Sequence, residues 1–167
     1  LAQIAKEVSV CTNCTLHESR KKSVPGEGPA NAEIMFIGEG PGFHENEQGR
    51  PFVGAAGKFL DQLLAQAGVT RSEVFIGNVV KCRPPENRDP LPDELSACDV
   101  YLERQIEAIT DLGMKSAALV DRPAPLAIYM DLGWEDNESA CCACEIISPA
   151  FPPRLAEMCI RLHGVSR

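Results

Sequence analysis

No apolar run in this chain of 167 residues approaches the ~18 residues that a membrane-spanning helix needs, so no span is expected. Nothing in the opening residues suggests secretion: no charged segment followed by an apolar core stands there, and LAQIAKEV reads as a short amphipathic helix. The expected compartment is the cytoplasm. A basic excess is also lacking. A formal net charge of −8 argues against a protein that holds nucleic acid by bulk electrostatics. The charge is unevenly spread, however. Residues 1–90 are nearly balanced, and most of the negative excess lies beyond Leu91, in segments such as DLGWEDNESACCACE. A local basic face around Lys81, Arg83 and Arg88 is therefore compatible with the composition, with solvated loop charge as the plain alternative. Two phosphate-binding signatures are absent: no Gly-Lys-Ser/Thr follows the glycine-rich stretch, and its spacing is not Gly-x-Gly-x-x-Gly. The apolar and charged fractions, 44% and 24%, are those of an ordinary globular protein, and the length suits one domain over residues 1–167.

Cysteine, by contrast, is abundant, with eight residues. Reducing conditions make a disulfide framework the wrong default, and metal ligation the better one. Cys11 and Cys14 form a Cys-x-x-Cys in VCTNCTLHESR, a spacing that lets two thiolates from one turn reach a common ion or cluster. Cys82, in the proline-rich loop NVVKCRPPENRDP, and Cys98, at the helix ACDVYLERQIEAI, are the candidates for the other two ligands. Zinc and an iron–sulfur cluster both accept four thiolates; the wide second spacing departs from a zinc ribbon and favours iron–sulfur. Unligated thiols are the simpler alternative. Cys141, Cys142, Cys144 and Cys159 lack well-spaced partners and read as free thiols.

Periodicity orders the rest. EIMFIG reads as a buried strand, followed by the glycine-rich loop GEGPGFHENEQGRPFVGAAG and the helix KFLDQLLAQAG with a glycine stop at Gly68. VFIGNVV reads as a second buried strand ending at the cysteine loop, and a helix is expected from about Pro92 to Ile109. Strand, helix, strand, helix implies a parallel sheet, whose ligands bind beyond the carboxyl ends of the strands. Both loops leave strands at that end and should share a pocket. Gly38, Gly40 and Gly42 let backbone N–H groups approach a ligand, and Pro41 stiffens the turn between them. Glu39 and Glu45 add carboxylates, Phe52 an aromatic face, and Asn78 an amide that donates and accepts at once. A planar heterocycle suits such a set; core packing for Phe52 and a strand-end cap for Asn78 are the bland alternatives.

These runs, GEGPGFHENEQGRPFVGAAGKFLDQLL, then VFIGNVVKCRPPENRDP, then ACDVYLERQI, closely resemble the family 4 uracil-DNA glycosylases, the iron–sulfur class of the uracil-DNA glycosylase superfamily, over roughly residues 5 to 110. The resemblance implies a three-layer α/β/α sandwich around a mainly parallel four-stranded sheet. It also implies a DNA repair enzyme that flips uracil out of DNA and hydrolyses its N-glycosidic bond, leaving an abasic site. By resemblance, Cys11, Cys14, Cys82 and Cys98 hold a structural 4Fe–4S cluster, with zinc as the alternative, and Lys81, Arg83 and Arg88 meet DNA phosphates. GEGPG is the first catalytic motif. Phe52 stacks on the extruded base, and Asn78 accepts from uracil N3–H and donates to O4. Glu45 stands near C5, where it excludes the thymine methyl, and Glu39 orients water or stabilises the sugar cation. A monomer acting on single- or double-stranded uracil-DNA is expected.

Beyond residue 110 the resemblance weakens. The family's second motif has the form His-Pro-Ala/Ser-x-x-Leu-x-Arg; here SPAFPPR places Ser148 where the histidine belongs, and His163 lacks the motif around it. Loss of that donor to uracil O2 would cost about 2–4 kcal/mol by analogy with oxyanion-hole deletions. A catalytically weakened uracil-DNA or nucleotide-binding protein of the same fold is the alternative. The basic loop contains no histidine, so covalent trapping on uracil is not expected.

Overall fold

The structure is a computed structural model that describes residues 1–112 and 114, with the backbone of two further strands, 116–120 and 127–131. Its centre is a parallel pair made by the two most apolar runs of the chain. Strand β1 (Ile34–Gly38) lies beside β2 (Phe75–Asn78), with Met35 opposite Phe75 and Gly38 opposite Asn78. β3 (Ser116–Val120) pairs in parallel with the other side of β1, and β4 (Ala127–Asp131) runs antiparallel to β3, giving the order β2-β1-β3-β4. β1 and β2 are buried on successive residues rather than alternately because both of their faces are covered.

Residues of β1 point alternately to the two faces, and each face has its own helix. On one side Phe36 and Ile76 pack against Leu60, Leu63, Leu64 and Ala67 of α4 (Ala55–Ala67), a stripe at helical spacing that ends where Gly68 turns left-handed at φ 73°. On the other side Met35, Ile37 and Phe75 pack against Leu102 and Ile109 of α5 (Pro92–Thr110). α1 (Ala2–Val10) and the single turn α2 (Leu16–Ser19) form a third cluster: Ile4, Val8 and Leu16 meet Val80, Tyr101 and the cysteines at positions 82 and 98. The free edge of β2 is covered by residues 24–27, where Glu27 and Ile76 exchange backbone hydrogen bonds of 2.9 and 2.8 Å.

The loop expected between Gly38 and Gly57 contains a short helix, α3 (Phe43–Gln48). FHENEQ has too few apolar residues to present a helical stripe; the helix is set by its ends, Gly42 before it and a left-handed Gly49 after it. The second strand stops at Asn78, two residues earlier than its apolar run. Val79 and Val80 still donate their N–H groups to the carbonyls of Gly38 and Glu39, at 2.8 and 3.0 Å, but they turn the chain toward the cysteine loop.

A buried carboxylate ties that loop down. Glu94 is fully buried and accepts both Arg88 guanidinium nitrogens, at 2.8 and 2.7 Å, the Leu91 N–H at the start of α5, and the Thr15 hydroxyl. The Arg88 hydrogen bonds foremost, working against burial, hold its carboxyl down at about 2. Because the folded value lies below the ordinary carboxylate value, the stabilisation is present above about pH 4.5 and is lost as pH falls toward 2. Glu94→Gln should therefore destabilise the protein by about 2–4 kcal/mol at neutral pH, a value kept below the buried-pair range by water reaching Arg88. Urea unfolding should show that difference shrinking as the medium is acidified through this window. Equal stability at neutral pH would refute the role.

Candidate active site

The carboxyl ends of β1 and β2 place Gly38 and Asn78 side by side. The Asn78 side chain is 2% exposed, yet among the described residues nothing hydrogen-bonds its amide. Such a group costs about 1–3 kcal/mol if left unsatisfied, so a polar ligand seated there would be held by it. Its neighbours fit that reading. A Cβ on Gly38 would lie 2.5 Å from Asn78 Oδ1 and 2.7 Å from Phe52 Cζ, so the missing side chain at position 38 is what lets the amide and the aromatic ring close on one spot. Gly40 is pressed in the same way by Val80, and Pro41 is buried beside it. Glu39, partly exposed, accepts the Val80 N–H through its carbonyl and follows β1 directly into the cradle. Gly38, Gly40, Pro41, Phe52 and Asn78, singled out separately in the sequence, therefore line one corner of the fold.

Phe52 sits on a loop held from two sides. Its own backbone is left-handed, φ 49°, an uncommon state for a bulky residue that persists only where the surroundings impose it. One side is Glu45: Oε1 accepts the N–H groups of Val53 and Gly54 at 2.9 and 2.8 Å, and Oε2 lies against Gly42. Glu45 is thus beside the cradle as expected, and it also braces the loop. The other side is Arg71, which donates to the carbonyls of Pro51 and Phe52 at 2.5 and 3.1 Å.

The four N-terminal cysteines come together. Cys11 and Cys14, between α1 and α2, and Cys82 and Cys98 line one cavity with Val8, Lys81 and Tyr101; none forms a disulfide. Among the described residues no three His, Cys, Asp or Glu side chains close around a point as a single ion requires. A tetrahedral zinc would draw its sulfurs to roughly 3.8 Å from one another. Four thiols around one space form a donor set that zinc and an iron–sulfur cluster both accept. Two donors already face the sulfurs: the Lys81 backbone N–H lies 3.2 Å from Cys98 Sγ and the Arg20 guanidinium 3.5 Å from Cys82 Sγ. Burial pushes the Cys98 thiol up to about 11 and raises Cys14 and Cys82, so these thiols would have to surrender protons to bind any metal.

The basic residues need one correction. Lys81 was expected to meet phosphate, but its side chain is 1% exposed, and Nζ donates to the carbonyl of Asn78 and to Gln105 Oε1, both at 2.6 Å. Burial pulls its ammonium down to about 8, against the opposing attraction of Cys98. The turn after Asn78 folds this long side chain inward, where it supports the strand end and presents no charge to solvent. Arg88 is committed to Glu94, with only part of its side chain toward solvent. Arg83 remains at the surface, its Nε 2.7 Å from Asn87 Oδ1 and its guanidinium 5.4 Å from the centre of the exposed Phe43 ring.

Sequence reasoning missed Arg71, Glu94 and Gln105. Gln105 had a signal: it falls on the buried stripe of α5 with Cys98, Tyr101, Leu102 and Ile109, where a polar residue needs partners, and its Nε2 indeed donates to the Pro25 carbonyl. Glu94 also had one, since it stands third in α5 after Pro92, where a carboxylate reaches back to the Leu91 N–H; Arg71 had none, because Glu27, Pro51 and Phe52 lie on loops whose course no local pattern gives. Ser148, His163, Cys141, Cys142, Cys144 and Cys159 lie outside the described residues.

Comparison with known proteins agrees with this geometry. The family model "Uracil DNA glycosylase superfamily" matches residues 25–120, which contain the whole cradle and both cysteines of the second pair. A type-4 uracil-DNA glycosylase of Saccharolobus solfataricus is 58% identical over 107 residues, 64% of this chain and 50% of that protein. One from Sulfurisphaera tokodaii is 56% identical over 110 residues, 65% of this chain and 50% of its own. One from Archaeoglobus fulgidus is 52% identical over 109 residues, 65% of this chain and 55% of its own. The chain thus spans about half the length of the curated relatives it matches. With a family match over more than half its residues, centred on the strand ends where Gly38, Phe52 and Asn78 meet, the chain belongs to the uracil DNA glycosylase superfamily.

Proposed function

We propose that the protein is a DNA repair glycosylase of the type-4, iron–sulfur class, which extrudes uracil from DNA and hydrolyses its N-glycosidic bond to leave an abasic site. The observation that carries this reading is the buried amide of Asn78, unpartnered among the described residues and set against the Phe52 ring. Uracil presents N3–H and O4 to such an amide, one accepted and one received, whereas cytosine reverses both atoms. Phe52 stacks on the base, with stacking and edge contacts offsetting the few kcal/mol of extrusion. As the bond breaks, positive charge grows on the sugar and negative charge on uracil O2. Glu39 faces the first, and the amides of Gly38, Gly40 and Gly42 are the donors nearest the second. Water gives its hydroxyl to the sugar C1′ and its proton to the departing base. Glu45, already braced beside Gly42, leaves no room for a C5 methyl.

In the same reading, Cys11, Cys14, Cys82 and Cys98 hold a 4Fe–4S cluster, with zinc the alternative. When bound, it cross-links the N-terminal segment to the loop after β2 and takes no part in bond breaking. Arg83, beside the exposed Phe43, is the phosphate contact, and Arg88 offers its remaining solvent-facing edge. The whole protein is read as one domain, a three-layer α/β/α sandwich with a mainly parallel four-stranded sheet, acting as a monomer on uracil-DNA in the cytoplasm.

Single-turnover release of base from an oligonucleotide with one deoxyuridine, against a thymine control, tests the activity. Uracil alone should be released, and Asn78→Ala should slow release on the order of 10²-fold while melting as the parent does. Binding of uracil-DNA without release by the parent protein would refute the glycosylase. Freshly isolated protein should be brown, and Cys98→Ala should lose the visible absorption; a colourless, zinc-containing parent protein would refute the cluster. Because burial raises three of the thiols, metal uptake should release protons and tighten as pH rises. Uptake independent of pH would contradict thiolate ligation.

A further inference from the structure

We propose that Arg71 is a positioning residue for the reaction: it holds the carbonyls of Pro51 and Phe52 and so presets the aromatic face that Phe52 turns to the pocket. The inference rests on reading that pocket as a uracil site. Arg71 donates to both carbonyls, at 2.5 and 3.1 Å, from a side chain that is itself fixed. Its Nε is bound by Glu27 at 3.0 Å and its Nη1 by Asp61 at 3.1 Å. Glu27 is in turn tied to the edge of β2 through its backbone bridge to Ile76, and its carboxylate also receives Arg50.

The clamp works on a strained segment. Phe52 holds φ at 49°, and the chain passes so close to α4 that a Cβ on Gly57 would stand 1.8 Å from the Phe52 carbonyl oxygen. Its carbonyl side is held by Arg71 and the amides that follow by Glu45, so Phe52 lies between a cation and an anion that pull on opposite ends of one loop. Only a planar fork with several donors in fixed directions reaches two successive carbonyls and two carboxylates at once. Released from the cation, the backbone can relax from its left-handed state, and the ring then leaves its place against Gly38 and Asn78.

Two measurements on the full chain test this. In a double-mutant cycle, Arg71→Ala should slow single-turnover uracil release about 10–100-fold in the parent protein, the scale expected for an ångström-sized misplacement. In the Phe52→Ala background it should change the rate by less than about twofold, because the ring it positions is gone. Equal losses in the two backgrounds would overturn the proposal, since general destabilisation does not depend on Phe52. Independently of activity, amide hydrogen exchange of Val53 and Gly54 should quicken about tenfold or more in Arg71→Ala, with β1 and α4 unchanged; unaltered exchange at those two amides would also overturn it. Should the alanine variant fail to fold, Arg71→Gln, which keeps one amide donor, goes through the same cycle. A parent protein that releases no uracil would sink the glycosylase reading alone, and the exchange measurement would still decide the clamp.

Discussion

The parallel pairing of β1 with β2, in the register that sets Gly38 beside Asn78, is the constraint from which the candidate site follows. Parallel strands end at the same level, so the chain leaves both at one place and in two directions. From β1 it enters the glycine cradle, α3 and the Phe52 loop; from β2 it turns into the cysteine loop. Slipping the register by one residue would send Asn78 to the opposite face of the sheet. It would also separate the amide from the aromatic ring. Apolar cover on both faces makes such a slip costly, with Phe36 and Ile76 committed to α4 and Met35, Ile37 and Phe75 to α5.

The same turn that ends β2 joins the pocket to the cysteine cavity. Between Asn78 and Cys82 the chain supplies a buried amide, a buried ammonium and a thiol within five consecutive positions. Lys81 is the hinge of this arrangement: its backbone N–H faces Cys98, and its side chain supports the carbonyl of Asn78 and meets Gln105. Glu94 secures the far end of the loop through Arg88 and Leu91. Whatever the four cysteines hold is therefore mechanically close to the residue that would recognise the base, although it lies outside the pocket.

The fold and the cradle were legible to the extent that they rest on local chemistry. The apolar runs of the two strands, the Leu60–Leu63–Leu64 stripe and the glycine stop at Gly68 report their structure directly in the residues. So does the convergence of Gly38 and Asn78, which follows from two strands ending together. The side-chain assignment of Lys81 failed for a physical reason: a lysine in an arginine-rich loop reads as surface charge. Only the three-dimensional course of the turn reveals that its ammonium is enclosed by two oxygen acceptors. Arg71 is the same lesson with the sign reversed, an exposed-looking residue whose four partners come from positions 27, 51, 52 and 61. α3 escaped because helix ends, rather than an apolar stripe, define it.

The enclosure of Lys81 bears on how the protein would answer to amine chemistry. Lys21, Lys22 and Lys58 stand in solvent, open to an acylating reagent, whereas Lys81 presents no surface to it while the fold is closed. Its ammonium is drawn down to about 8 only while burial lasts, and once the core between the cysteine cavity and the pocket parted it would react as an ordinary solvated lysine, so that its labelling reports the opening itself. Lys81 is thus a clock built into the chain, silent in the intact molecule and marking each opening of its innermost turn.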